Sequence, residues 1–125
     1  MSMITANAPR INCDGMIFPD GSERWIVNGY LHREDGPAII HCTGGKQWWY
    51  DGQMHREDGP AVEDSDGTRE WWVKGQLHRD DGPAVIQSDG TRQWWIDGLE
   101  YRFDSWAAAL GLDTEQRMLL QLKYC

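Results

Sequence analysis

A mainly β fold is predicted from this sequence: a single-sheet array of about four 23-residue antiparallel β-hairpin units, with a short α-helical C-terminal cap. Three observations predict it. The phrase His32-Arg33-Glu34-Asp35-Gly36-Pro37-Ala38 returns as His55-Arg56-Glu57-Asp58-Gly59-Pro60-Ala61 and as His78-Arg79-Asp80-Asp81-Gly82-Pro83-Ala84, each time 23 residues on. Trp25, Trp48-Trp49, Trp71-Trp72 and Trp94-Trp95 keep the same beat. Each is followed by a Gly-containing pair: Asn28-Gly29, Asp51-Gly52, Lys74-Gly75 and Asp97-Gly98. A fixed period of this length marks a repeat architecture, in which conspicuous residues can serve the repeat and not a reaction.

One unit shows how the pattern becomes structure. Arg69 to Val73 is aromatic and β-branched, which suits a strand. Lys74-Gly75 makes a two-residue turn, and the sister pairs Asn28-Gly29 and Asp51-Gly52 tolerate still better the positive φ angles of a type I′ turn. Gln76 to Arg79 returns as the second strand. Asp80 to Pro83 breaks the direction, because Pro fixes φ and Gly permits a left-handed bend. Ala84 to Ser88 is a short extended piece, and Asp89-Gly90-Thr91 turns into the next unit. A two-residue turn fixes register. Val73 then pairs with Gln76, Trp72 with Leu77, Trp71 with His78 and Glu70 with Arg79, the last as a cross-strand ion pair. Alternation places Trp25, Trp48, Trp71 and Trp94 on one face, opposite His32, His55, His78 and Tyr101. The other face carries Ile26, Trp49, Trp72 and Trp95 opposite Leu31, Met54, Leu77 and Glu100.

The terminal units depart from the pattern, as units that cap an open sheet edge should. A degenerate half-repeat spans 11–22, since Asp20-Gly21-Ser22 aligns with Asp89-Gly90-Thr91. Full units start near 23, 46, 69 and 92. In the last, Tyr101-Arg102-Phe103-Asp104 replaces the His-Arg-Glu-Asp phrase. The array therefore occupies 1–103 and the cap 104–125. Asp104 or Ser105 is positioned to cap a helix running to Leu110, which Gly111 stops. Asp113-Thr114-Glu115-Gln116 is a capping-box variant that opens a second helix to about Lys123. Met118, Leu119 and Leu122 share one side of it and are expected to cover the last hairpin.

The chain has 125 residues, enough for one small domain, and eight Trp, each able to bury on the order of 150–250 Å². Net charge is −8, which disfavours direct binding to nucleic acid or to anionic lipid and favours a basic partner surface. Cys13, Cys42 and Cys125 lie off the repeat without a CxxC, which fits a reducing compartment and a cytoplasmic location. Met1 to Arg10 lacks the apolar core of a signal peptide, and no run approaches the roughly 18 apolar residues of a membrane span.

Trp72-x-x-Gly75-x-x-His78 followed by Asp81-Gly82 resembles the MORN repeat, whose period is also near 23. The chain departs from that family after the His, where Arg-Glu-Asp-Gly-Pro-Ala replaces a simpler Gly-x-Gly. It is closer to the MORN-variant repeats of bacterial and viral proteins, including small phage proteins. The resemblance covers roughly Met16 to Arg102 and implies an elongated, twisted hairpin array of the kind that mostly serves as a binding scaffold. Fold alone does not dictate function.

Three groups of residues are candidates for a site. The histidines His32, His55 and His78 recur two strand spacings apart, about 10 Å. Zinc needs its ligands about 2 Å from a shared centre, so they are expected to bind no metal. Each imidazole is instead expected to stack on its Trp and to hydrogen-bond into the Asp-Gly-Pro bend. With Trp25, Trp48, Trp71, Trp94, Gly36, Gly59, Gly82, Pro37, Pro60 and Pro83 they form the structural set. The carboxylates Glu34, Asp35, Glu57, Asp58, Asp80 and Asp81 form a repeated acidic edge that suits a basic partner; no pair among them is marked for catalysis. Trp49, Trp72 and Trp95 form an aromatic row that could serve recognition if its face is open.

No nucleotide-binding, nucleophile-elbow or zinc-protease motif is present. The expected function is a non-enzymatic protein–protein interaction module without cofactor. Its sharpest form is a small acidic phage-type inhibitor that blocks a host protein, such as a defence-system or nucleic-acid-binding component. The rivals are a carbohydrate- or small-ligand-binding module using a Trp ladder, and a self-assembling structural repeat. A homodimer through the first hairpin or the C-terminal helices stays open.

Overall fold

The computed structural model describes residues 15–125. Residues 11–14 of the expected half-repeat, with Cys13, and the amino-terminal stretch Met1 to Arg10 lie outside the described residues.

Among the described residues, nine strands make one antiparallel sheet, in the order Met16–Ile17, Glu23–Arg24, Ile39–Ile40, Lys46–Gln47, Val62–Glu63, Arg69–Glu70, Val85–Ile86, Arg92–Ile96 and Leu99–Tyr101. Three two-stranded ladders stand apart from it: Ile26–Val27 with Tyr30–Leu31, Trp49–Tyr50 with Gln53–Met54, and Trp72–Val73 with Gln76–Leu77. The mainly β class holds. The expectation of a single sheet does not, because the strands of the first three units, such as Arg69 to Val73, are divided at Trp25, Trp48 and Trp71.

Backbone bonding explains the division. The Trp71 N–H donates to Ala84 O at 2.7 Å, while the Trp71 carbonyl accepts from His78 N at 3.0 Å. Trp25 and Trp48 do the same with Ala38 and His32 and with Ala61 and His55. One residue thus serves two ladders, and the strand bends where its donor and acceptor part company. Among the described residues, only Arg92–Ile96 runs through unbroken for five residues. Ala38, Ala61 and Ala84 are fully buried beside these bends, where a larger side chain would overpack.

The hairpin registers agree with the turn argument. Trp72 pairs with Leu77 and Val73 with Gln76; Trp49 pairs with Met54, Ile26 with Leu31, Trp95 with Glu100 and Trp94 with Tyr101. Each turn places two residues at positive φ: 53° and 85° at Asn28-Gly29, and 51° and 80° at Lys74-Gly75. Successive hairpins are tied by two backbone bonds, for example Gly52 N to Leu31 O at 2.9 Å and Arg33 N to Trp49 O at 3.1 Å.

The expected ion pair between Glu70 and Arg79 is absent. Glu70 lies in the large sheet, flanked by Val62 and Val85, and its carboxylate accepts from the Trp72 indole at 2.8 Å. Arg79 turns to Asp81 instead. The bend at Trp71 takes the two residues out of one ladder.

Two helices follow the array. The first, α1, spans Phe103–Ala109, and the second, α2, spans Thr114–Tyr124. The N-cap of α1 is Arg102 with no side-chain cap, in place of the expected Asp104 or Ser105. Gly111 ends it at φ +71°. The capping box of α2 forms as expected: Asp113 Oδ1 accepts from Gln116 N at 2.8 Å and Gln116 Oε1 accepts from Asp113 N at 2.9 Å. Trp106 is fully buried, its ring centroid 4.6 Å from that of Trp94, and its indole N–H donates to Arg79 O at 3.0 Å. Phe103, Leu110, Leu112, Leu120 and Tyr124 complete this cluster. Met118, Leu119 and Leu122, expected to cover the last hairpin, point outward and are exposed. The helix turns its other face inward, through Leu120 and Tyr124. Among the described residues, no helix is long and apolar enough to cross a membrane.

Candidate functional site: an acid-rimmed groove between hairpins

The repeated phrase builds a latch around an arginine. In each unit the Arg after the His lays its guanidinium 3.8 Å from a Trp ring centroid: Arg33 over Trp25, Arg56 over Trp48, Arg79 over Trp71. Its Nε donates to the Asp two residues on, at 3.0, 3.0 and 2.7 Å to Asp35, Asp58 and Asp81. Its Nη1 donates to the carbonyl of Pro37, Pro60 or Pro83 at 3.0–3.1 Å. A Cβ on Gly36, Gly59 or Gly82 would stand 3.0, 3.0 or 2.7 Å from the guanidinium carbon, so a side chain there would push on the Arg, most of all at Gly82. The Asp and Pro therefore fix the Arg, the Arg covers the Trp, and the Gly makes room.

The histidines form a second link, between units. Nδ1 of His32, His55 and His78 accepts from the backbone N–H of Asp51, Lys74 and Asp97 at 3.0, 3.0 and 3.1 Å. Each imidazole thus accepts from the turn of the next hairpin and not from the Asp-Gly-Pro bend. The partner ring also differs from the expectation. His32 meets Tyr50 at 4.4 Å between centroids, while the Trp faces are taken by arginine. Nε2 of His32 and His55 faces Glu34 and Glu57 at 3.3 and 3.2 Å.

These links leave an open groove of about 1200 Å³ between the first and second units. Trp48, Tyr50 and His55 line it, and Glu34, Asp35, Glu57 and Asp58 rim it, with Lys74 at one end. The rim carboxylates remain 70–86% exposed in spite of their contacts. Asp80 and Asp81 belong to the third loop, exposed but outside the groove. On that side Tyr124 of α2 accepts from Arg79 Nη2 at 3.3 Å.

Trp49, Trp72 and Trp95 do not join this site. Their indole N–H groups donate to Gln47, Glu70 and Gln93 at 3.0, 2.8 and 3.0 Å, and all three rings are half-buried. The structure therefore separates the aromatic row from the acidic edge. What the sequence reading missed is Arg33, Arg56 and Arg79. Their recurrence immediately after each His was the available signal.

At the opposite ends of the units lie three carboxylates with lowered pKa. A hydrogen bond from the Ser22 hydroxyl, then its backbone N–H and the nearby Arg24, holds Asp20 below the ordinary value. Thr68 and Thr91 do the same for Asp66 and Asp89, through their backbone N–H first and their hydroxyl second. These are turn-forming contacts, all exposed. Among the described residues, no group of three or more His, Cys, Asp or Glu could hold a metal ion. Compared with known protein families, curated proteins and solved structures, the chain matches none.

Proposed function

We propose that the chain is a MORN-like array of about four hairpin units that works without catalysis, by presenting its acidic edge to a basic surface on a partner protein. The observation that carries this reading is the division of labour in the repeated phrase. Asp35, Asp58 and Asp81 hold the arginines, while Glu34 and Glu57, which touch only a histidine Nε2, keep most of their surface open beside the groove, and Asp80 is exposed at the matching place in the third unit. A rim of exposed like charges steers a basic partner and raises the rate of encounter. Net charge −8 adds to the same field. The narrower form, a phage-type inhibitor that occupies the nucleic-acid groove of a host defence protein in the cytoplasm, rests on the family resemblance and the acidity together.

The test is affinity capture from a bacterial lysate with wild type and with Glu34→Lys, Glu57→Lys and Asp80→Lys combined. This variant leaves the Asp that pins each Arg in place, although it removes the Glu34 and Glu57 contacts to His32 and His55. Wild type should capture a specific basic protein that the variant, shown to be folded by circular dichroism, does not. A partner retained by the variant would contradict it.

A further inference from the structure

We propose that the outward face of α2 is a homodimer interface, formed by antiparallel pairing with α2 of a second copy. The helix carries apolar residues on two faces. Leu120 and Tyr124 pack against the Trp94–Trp106 cluster. Met118, Leu119 and Leu122 are 56%, 61% and 83% exposed. Their spacing sets them on one stripe of adjacent turns. The other large exposed apolar residues among the described ones, Ile17, Tyr30, Tyr50 and Leu99, belong to different strands. A contiguous apolar stripe on a soluble surface marks a contact site. Along it runs an open groove of about 390 Å³, edged by Met118, Gln121, Leu122 and Cys125, which would receive an aliphatic side chain.

The charges beside the stripe choose the occupant. Glu115 lies four residues before Leu119 and Lys123 four residues after it. In an antiparallel pair centred on Leu119, Glu115 of each copy meets Lys123 of the other, and both contacts form by the same twofold operation. A parallel pair would set Glu115 on Glu115 and Lys123 on Lys123. Self-complementarity of this kind is what an isologous interface requires. A single helix pair falls below the standard interface size, so the dimer is expected to exchange with monomer as concentration changes.

Sedimentation from micromolar to near-millimolar protein tests this. The mass of wild type should rise from 14.4 kDa toward twice that value. Leu122→Glu should remain monomeric throughout. Glu115→Lys alone should weaken association about tenfold, since it sets two like-charge contacts in each dimer. Adding Lys123→Glu should restore association. Both substitutions oppose the helix dipole, so a purely structural effect would make the double variant worse than either single one. A wild type that stays monomeric, a dimer indifferent to Leu122→Glu, or a double variant as weak as the single would each overturn the proposal. Capture of a basic partner by Leu122→Glu keeps this outcome separate from the function proposed above.

Discussion

The guanidinium carbon of Arg56 lies 3.8 Å from the centroid of the Trp48 ring, held there by Asp58 and the Pro60 carbonyl. Stacking, three hydrogen bonds, the third to Glu63 at 3.2 Å, and coverage of an indole depend on one side chain. Arg56→Ala is expected to destabilise the fold by about 1–2 kcal/mol. Arg56→Lys should recover little of this, because an ammonium lacks the planar fork. Urea unfolding followed by Trp fluorescence measures both, and full recovery by Lys would show that charge alone matters.

Gly82 should tolerate no side chain. Its added Cβ would meet the Arg79 guanidinium at 2.7 Å, and that group is pinned by Asp81 and Pro83. Gly82→Ala is expected to cost more than about 1 kcal/mol, in line with other overpacked sites. The same denaturation measurement decides it.

Lys74 occupies a turn position at φ +51°, where its sister units place Asn28, Asp51 and Asp97. A lysine in the left-handed region carries roughly 1 kcal/mol of strain that Asn relieves in part. Lys74→Asn should raise stability by about 0.5 kcal/mol and leave the hydrogen bond from its backbone N–H to His55 intact. A lower urea midpoint would contradict the turn assignment.

Trp106 anchors the cap from full burial, with its N–H on the Arg79 carbonyl. Trp106→Ala should cost about 3–5 kcal/mol. Hydrogen exchange should then show α1 and α2 opening first, because both helices share the cluster around Trp94.

Asp20, Asp66 and Asp89 have folded pKa values held below 3.8 by their turn hydrogen bonds, those from Ser22, Thr68 and Thr91 first. A depressed carboxylate contributes stability that is fully present above its unfolded pKa and lost as pH falls through the folded one. Stability should therefore decline as pH drops below about 4. Replacing all three by Asn should flatten that decline relative to wild type, with little change in the slope above pH 5. An unchanged acid limb would show that these turns carry no linkage.

The units, turns and hairpin registers were legible in the sequence because the 23-residue period and the Gly-containing pairs fix them locally. The bend at Trp25, Trp48 and Trp71 was not. It arises where one backbone residue bonds to two different ladders, and no side-chain pattern marks that. The acidic residues were legible as charge, yet the different partners of Asp58, which holds Arg56, and Glu57, which faces His55, needed the positions of both side chains. On α2 the apolar residues lie on both faces, so spacing alone could not tell Leu120 and Tyr124 from Met118 and Leu122.

The proposed contact of Glu34, Glu57 and Asp80 with a basic partner surface can be measured in solution. The most direct measurement is the affinity of the captured partner for wild type and for the triple Lys variant, at low and at physiological salt. The complex with the variant should be at least tenfold weaker and less dependent on salt, as expected when steering charges are reversed. Equal affinities and equal salt slopes would contradict it and move recognition away from the acidic edge.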